Sequence, residues 1–238
     1  MNTLDQLHLL RLQGMASTWQ AWQESRTLSA LSLSEGLDLL LAAEALDRHN
    51  RKFQRLLQSA GFRYQTSLEE IRYQPERNLD KTQLARLSNC QYIRQAENVL
   101  ITGLTGSGKS FLACALGHQG CQMGYTVRYF NHQKLLMHFK MARYDGTIYK
   151  YFQTLAKTQL LIIDDFGIAH LDKQQRMDLM ELIEDRHGRQ ATIIVSQLPV
   201  ANWYDIIGES TLADAILDRL VHSAHRFELA GESQRKKQ

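Results

Sequence analysis

Residues 103–110 read GLTGSGKS, and few eight-residue stretches constrain a fold so tightly. The pattern is the phosphate loop G-x-x-x-x-G-K-S/T, which requires an apolar strand in front and a helix behind. Both neighbours are in place, the strand as NVLIT at 98–102 and the helix as the segment from Ser110 to Met123. Glycines let the backbone curl until successive N–H groups converge on phosphate oxygens, and the following helix aims its positive end at the same point. Lys109 adds a mobile charge for the β and γ phosphates, and the Ser110 hydroxyl can ligate Mg²⁺. The residues expected to cradle a nucleotide are Gly103, Leu104, Thr105, Gly106, Ser107, Gly108, Lys109, Ser110 and Phe111. A glycine-rich turn without a ligand would need the whole motif, in this context, to arise by chance.

From Glu97 onward strands and helices alternate. The strand candidates are 98–102, TVRYF at 126–130, QLLIID at 159–164, ATIIVS at 191–196 and HRFELA at 225–230, with a further helix at 174–187. Several of these strands are continuously apolar, as a parallel sheet covered on both faces requires. The expectation is a doubly wound parallel α/β domain over 76–238. Residues 1–75 read as a small all-helical domain. Leu4, Leu7, Leu10, Met15, Trp19 and Trp22 lie on one helical face, and a second helix begins after Ser34 with Glu35 close behind. Arg48, Arg51, Lys52 and Arg55 read as the solvated side of that helix; SLEE at Ser67 opens a short helix and Pro75 closes the region.

The phosphate loop gives a meaning to LLIIDDFG at 160–167. A hydrophobic strand beside the first one is expected to end in an acid that helps hold Mg²⁺, which prefers oxygen ligands and keeps several waters. Asp164 fits that role, and Asp165 can polarise the water that attacks the γ phosphate. Two acids in an ordinary turn are the bland alternative. Ser196 and Gln197 end the strand IIVSQLP, where a polar side chain could touch the same water or phosphate. In LADAILDRLVH, Arg219 reads from the residues alone as a partner for Asp214, Asp218 or another acid.

Composition is that of an ordinary globular chain, with 44% hydrophobic and 22% charged residues. Cys90, Cys114 and Cys121 form no metal-ligand or disulfide pattern. The first twenty residues lack a secretory pattern, and no apolar run approaches the roughly 18 residues needed to span a bilayer. The expectation is a soluble, cytoplasmic protein with no membrane partner. The net charge of +3 hides an asymmetry: residues 81–158 hold 10 Lys and Arg against 2 Asp and Glu. Arg128, Lys134, Lys140, Arg143, Lys150 and Lys157, interleaved with Tyr129, Phe130, His132, Phe139, Tyr144, Tyr149, Tyr151 and Phe152, suggest a polyanionic partner, with a solvated face over an aromatic core as the alternative.

Taken together, GLTGSGKS, LLIIDDFG, IIVSQLP, LADAILDRLVHSAHRFELAGES and the opening LHLLRLQGMASTWQ resemble the IstB-like helper, the AAA+ ATPase that accompanies the transposase of one class of bacterial insertion sequences. That family is a relative of the DnaC-type helicase loaders. The resemblance implies a P-loop AAA+ fold, ATP with Mg²⁺, self-assembly into rings or spirals, binding of double-stranded DNA, and stimulation of a transposase. It further implies Lys109 and Ser110 on the phosphates and metal, Asp164 as the metal-side acid and Asp165 as the catalytic acid. Gln197 would be the sensor at the strand end, and Arg219 an arginine finger reaching a neighbour's ATP. Two departures stand out. Asp165 occupies a place where many AAA+ proteins carry Glu, so slow or regulated hydrolysis is expected. Little or no lid follows the last strand, and neither Arg226 nor Arg235 is assigned as a second sensor. A helicase loader, a small-molecule P-loop kinase and an ATP-gated clamp are the competing readings.

Overall fold

The computed structural model describes residues 2–25, 31–73 and 77–231; Pro75 and Arg235 lie outside them. The chain forms two compact units, Met1–Arg55 and Leu56–Gln238. This division falls about twenty residues before the boundary near 75 read from the sequence, inside a helix.

In the first unit, helix α1 (Thr3–Leu9) opens with Asn2 and Asp5 capping one another. The single helical face expected through Trp22 is broken at Arg11, whose φ is 59°, and resumes as α2 (Gln13–Ser25). Helix α3 (Leu33–Ala60) is started by Ser32 and not Ser34: Ser32 N–H donates to Glu35 at 3.0 Å and Glu35 N–H to Ser32 Oγ at 3.3 Å. The core is Leu7, Met15, Ala16 and Leu40, flanked by Trp19 and Trp22. At Gly14 a Cβ would lie 2.5 Å from the Ala43 carbonyl, so only glycine lets α2 approach α3 this closely. The Glu44 carboxylate uses that proximity, accepting Gly14 N–H at 2.8 Å and Met15 N–H at 3.3 Å at the start of α2. The basic cluster is a paired helix surface: Arg48 meets Glu44 and Arg51 meets Asp47, both at 2.7 Å.

The second unit is built on a five-stranded sheet. Its elements are α4 (Lys81–Ser88), α5 (Gln91–Arg94), β1 (Val99–Gly103), α6 (Lys109–Gln122), β2 (Val127–Asn131), α7 (His132–Tyr144), α8 (Ile148–Ala156), β3 (Leu160–Phe166), α9 (Lys173–Arg186), β4 (Ala191–Ser196), α10 (Trp203–Ile207), α11 (Ser210–Val221) and β5 (His225–Leu229). SLEE forms one turn of 3₁₀ helix, Leu68–Glu70. All pairings are parallel, in the order β2-β3-β4-β1-β5. The acidic strand β3 is therefore not beside β1, as the sequence suggested; β4 lies between them. Because the strands are parallel, all five carboxyl ends still open on one edge, where an α/β sheet binds its ligand.

The continuously apolar strands are buried on both faces: Val99, Leu100, Ile101, Leu160 to Ile163, Ile193 and Ile194 have no exposed surface. The cysteines are buried and unpaired, with burial raising each thiol pKa to about 11 or 12. Arg186 at the end of α9 is also buried, and donates to Thr192 Oγ1 and to the carbonyls of Leu155, Thr158 and Ala191, tying α8 to the starts of β3 and β4. Among the described residues no helix is long and apolar enough to cross a membrane.

His132, the first residue of α7, is fully buried against Phe166 with ring centroids 4.9 Å apart, and neither ring nitrogen has a hydrogen-bond partner among the described residues. Burial lowers its pKa from 6.5 to about 4. The folded state therefore holds the neutral ring, the unfolded state binds more protons between these values, and stability falls as pH drops through that window. The full loss below pH 4 is about 3 kcal/mol. Denaturant titrations of wild type and His132→Phe from pH 7 to 4 are expected to show a shallower decline in the variant; parallel declines would contradict this assignment.

Candidate active site

At the end of β1 the chain enters the phosphate loop through Gly103, with φ at 142°, where a Cβ would lie 2.1 Å from the Leu229 carbonyl oxygen. Gly108, with φ at 91°, turns the loop into α6 and leaves that helix without a side-chain cap. The first N–H groups of α6 are thus available to an anion, where the helix dipole favours one. The Ser107 hydroxyl is buried without a hydrogen-bond partner among the described residues. Lys109 is nearly buried and curls its ammonium onto the Leu104 carbonyl at 2.8 Å. Thr105 is exposed at the loop tip, while Gly106, Ser110 and Phe111 are half-buried.

The loop is braced from behind by a residue the sequence reading did not single out. The guanidinium of Arg77, itself buried, donates to the Ser107 carbonyl at 3.0 Å and to the Arg72 carbonyl at 2.7 Å. Its own carbonyl accepts from Ala230 N–H at 3.1 Å, just past β5. A Cβ on Gly108 would meet the same guanidinium at 2.5 Å.

At the end of β3 the register against β4 shifts between Ile163 and Phe166. The bulge puts Asp165 at a φ of 59°, a left-handed conformation that Asp tolerates better than most residues, and re-aims both acids. Asp164 has no exposed surface. Its carboxylate accepts from the Tyr129 hydroxyl and, at 2.8 Å, from Asp165 N–H. Burial and this hydrogen bond both raise the Tyr129 pKa, so the phenol keeps its proton to donate. Asp165 accepts from the Asn131 side-chain amide at 2.9 Å, and Arg63 approaches Asp165 to 3.5 Å and Asp164 to 3.9 Å. Asn131 ends β2 opposite Asp164, and its side-chain Oδ1 caps α7, accepting from Gln133 and Lys134 N–H. Tyr129 and Asn131 alternate along β2, a pattern that could have marked them once β2 was known to neighbour β3.

The other predicted residues divide. Gln197 leaves β4 at the same edge and accepts from the Thr105 hydroxyl at 2.7 Å, joining the strand end to the phosphate loop. Arg219 is elsewhere. Asn98, just before β1, donates to the Arg219 and Leu220 carbonyls at 3.0 and 3.2 Å, which places this end of α11 at the amino edge of the sheet. The length of β1, about 16 Å, separates it from its own loop. The Arg219 side chain pairs with Glu184 of α9 at 2.6 Å. Arg226, second in β5, is at that far edge too and donates to the Val221 carbonyl at 3.4 Å.

Of the six basic residues in the middle of the chain, Lys134, Lys140, Lys150 and Lys157 are exposed on or next to α7 and α8. Arg143 is committed to Asp178, a buried carboxylate on α9, and Arg128 donates to the Ser59 carbonyl at 2.8 Å. Phe139 and Phe152 are core, whereas Tyr144 and Tyr149 are 94% and 76% exposed beside the free lysine run.

A family model described as IstB-like ATP binding protein matches residues 5–238. The chain belongs to that family. A Sinorhizobium fredii protein named as an insertion sequence ATP-binding protein is 44% identical over 236 residues, covering 99% of this chain and 96% of its own. Among solved structures, the DnaC helicase loader superposes with a TM-score of 0.51 at 18% identity, over 66% of this chain and 93% of that one. The replication initiator DnaA, bound to AMPPCP and single-stranded DNA, gives 0.54 at 17% identity, over 71% and 52%. These two likenesses bear on the fold, which is that of an AAA+ domain. This IstB-like chain is accordingly an ATP-binding AAA+ ATPase, and the phosphate loop and acid pair occupy one edge of its sheet.

Arg77→Ala would leave the Ser107 carbonyl without its donor and open space behind Gly108. Loss of one charged hydrogen bond supporting the loop is expected to weaken binding of a non-hydrolysable ATP analogue by about tenfold. Fluorescence titration checks this; unchanged affinity would show that the loop holds its shape without the brace.

Proposed function

We propose that this ATPase assembles on duplex DNA in its ATP-bound state and recruits or stimulates the transposase of its insertion sequence. One observation supports assembly above the others: Arg219 lies a full strand length from its own phosphate loop. If it stabilises charge on a γ phosphate, the phosphate belongs to another subunit, and hydrolysis waits on association. The pair with Glu184, in which the Arg219 side chain is 25% exposed and the Glu184 side chain 55%, would have to open for that.

The polar groups at the loop fit a triphosphate. The Ser107 hydroxyl, unpartnered among the described residues, and the start of α6, without a side-chain cap, are groups that phosphate oxygens would satisfy, and the Lys109 ammonium rests on the same loop. Lys109 would hold the β and γ phosphates, with Gly103 to Phe111 wrapped around them. Ser110 and Asp164, both oxygen donors, would hold Mg²⁺, which when bound neutralises charge on the phosphates. Asp165 would orient the attacking water and Gln197 would report on the γ phosphate through its contact with Thr105. In the structure Asp165 is engaged by Asn131 and faces Arg63, and it has one methylene fewer than Glu. Both features support slow hydrolysis until the site is completed.

The DNA surface we infer is the exposed side of α7 and α8, where Lys134, Lys140, Lys150 and Lys157 accompany Tyr144, Tyr149, Met137 and Met141. Exposed lysines neutralise backbone phosphates in a sequence-independent, salt-sensitive way. Arg128 and Arg143 would serve the fold more than the DNA. The name carried by the Sinorhizobium fredii relative supports a transposase as partner over a replicative helicase.

Light scattering on a duplex DNA fragment compares wild type with ATP, wild type with ADP, and Lys109→Ala with ATP. Multi-subunit particles are expected only in the first case. Particles of equal size in all three would overturn ATP-gated assembly.

A further inference from the structure

Arg63 enters the scheme above only as a cation facing Asp165, yet its guanidinium approaches both site carboxylates. It stands three residues after α3 ends, in a segment pinned to the elements that carry the site. Before it, the Ser59 carbonyl accepts from Arg128 on β2 at 2.8 Å, and Gly61 turns the chain with φ at 69°. Phe62 seats on Gly117 of α6 so closely that a Cβ there would lie 2.5 Å from its ring. After it, Tyr64 packs against Phe111 with centroids 6.3 Å apart. The backbone of residue 63 is thereby fixed on the helix that follows the phosphate loop.

The side chain is held differently. Its guanidinium lies 5.5 Å over the Tyr64 ring and reaches Asp165 at 3.5 Å and Asp164 at 3.9 Å, while 42% of it remains exposed. These are long contacts from a part-exposed cation, of the kind that contributes little and is readily exchanged. Asn131, the other donor to Asp165, is fixed by capping α7 and cannot withdraw as easily. Beside Arg63 opens a cleft of about 730 Å³, lined by Gly61, Phe62, Asn131, Lys134 and Asp165 among others, with room to receive the displaced guanidinium.

We propose that Arg63 is a positioning residue for hydrolysis: a counter-ion within the same chain that holds the acid pair before the site is loaded, competes with the divalent cation for it, and withdraws into the adjoining cleft when the cation binds. The inference rests on the reading of Asp164 as a metal-side acid and Asp165 as the water-side acid. Two cations seeking the same carboxylate oxygens repel one another, and the penalty is reciprocal: whatever weakens Arg63 at the acids strengthens the metal there. While Arg63 faces Asp165, one side of that carboxylate is turned from water, which adds a second restraint to the short Asp side chain.

The test uses Mn²⁺ as the probe. The full-length protein, saturated with a non-hydrolysable ATP analogue, is titrated with Mn²⁺, and the free ion is followed by its EPR signal. Arg63→Ala and the longer-stemmed Arg63→Gln are expected to bind Mn²⁺ about two- to fivefold more tightly than wild type, the range corresponding to a part-exposed ion pair. Arg63→Lys is expected to lie between. DNA-free hydrolysis of Mg·ATP is expected to rise in the same order. Unchanged or weaker Mn²⁺ binding in both neutral variants would overturn the proposal, since a merely structural role for Arg63 predicts no tightening. An Asp164→Asn variant that bound Mn²⁺ as wild type does would instead remove the metal-side reading of Asp164, and the inference with it.

Discussion

Asp164 carries a carboxylate with no exposed surface, and the arrangement of the carboxyl edge follows from the need to compensate it. An ionised carboxylate taken out of water costs several kcal/mol unless hydrogen bonds and opposite charge offset the loss. Tyr129 supplies a hydroxyl from β2, the bulge supplies the Asp165 N–H, and Arg63 supplies charge. The bulge and the cation also serve the neighbouring acid. The bulge that frees the Asp165 N–H turns its side chain to Asn131, and the cation that balances Asp164 faces Asp165 as well. One buried charge thus sets the geometry of the whole acid pair.

The same edge receives the phosphate loop although one strand, β4, separates Asp164 from Gly103 in the sheet order. Parallel pairing aligns the strand ends: Thr102 and Phe166 both stand opposite Ser196. Ser196 is buried there, donating to the Phe166 carbonyl at 2.7 Å, while the next residue, Gln197, reaches Thr105. Ser196 therefore joins strand ends and Gln197 joins the strand to the loop. Arg77 holds the loop from the opposite side through the Ser107 carbonyl.

What was legible in the sequence was whatever short-range chemistry encodes. Five strand candidates gave five strands within a residue or two, most plainly β1, β3 and β4, because a strand buried on both faces has few polar positions to confuse the pattern. The phosphate loop was readable because its glycines answer a local backbone demand. Strand order was not, since the connection from β1 to β2 says nothing of β4 passing between β1 and β3. Arg77 and Arg63 act across 30 and 102 residues on partners no spacing rule links to them. The break at Arg11 and the helix start at Ser32 were missed for a smaller reason: the apolar spacing ran on across a turn, and Ser32 and Ser34 offer the same chemistry to a cap. Arg219 was readable from the residues as a surface pair, and it pairs with Glu184 within the chain; the finger role came only from the resemblance and is a proposal that requires another subunit.

The central claim is that a working site is made from two subunits, with the acid pair of one and Arg219 of the other. Subunit mixing tests it most directly. Asp165→Asn and Arg219→Ala are each expected to abolish DNA-stimulated hydrolysis while still binding nucleotide. Mixed in equal amounts on duplex DNA, they should regain about a quarter of the wild-type turnover, because about that fraction of interfaces would pair an intact acid with an intact arginine. A mixture as inactive as its two components would contradict the account.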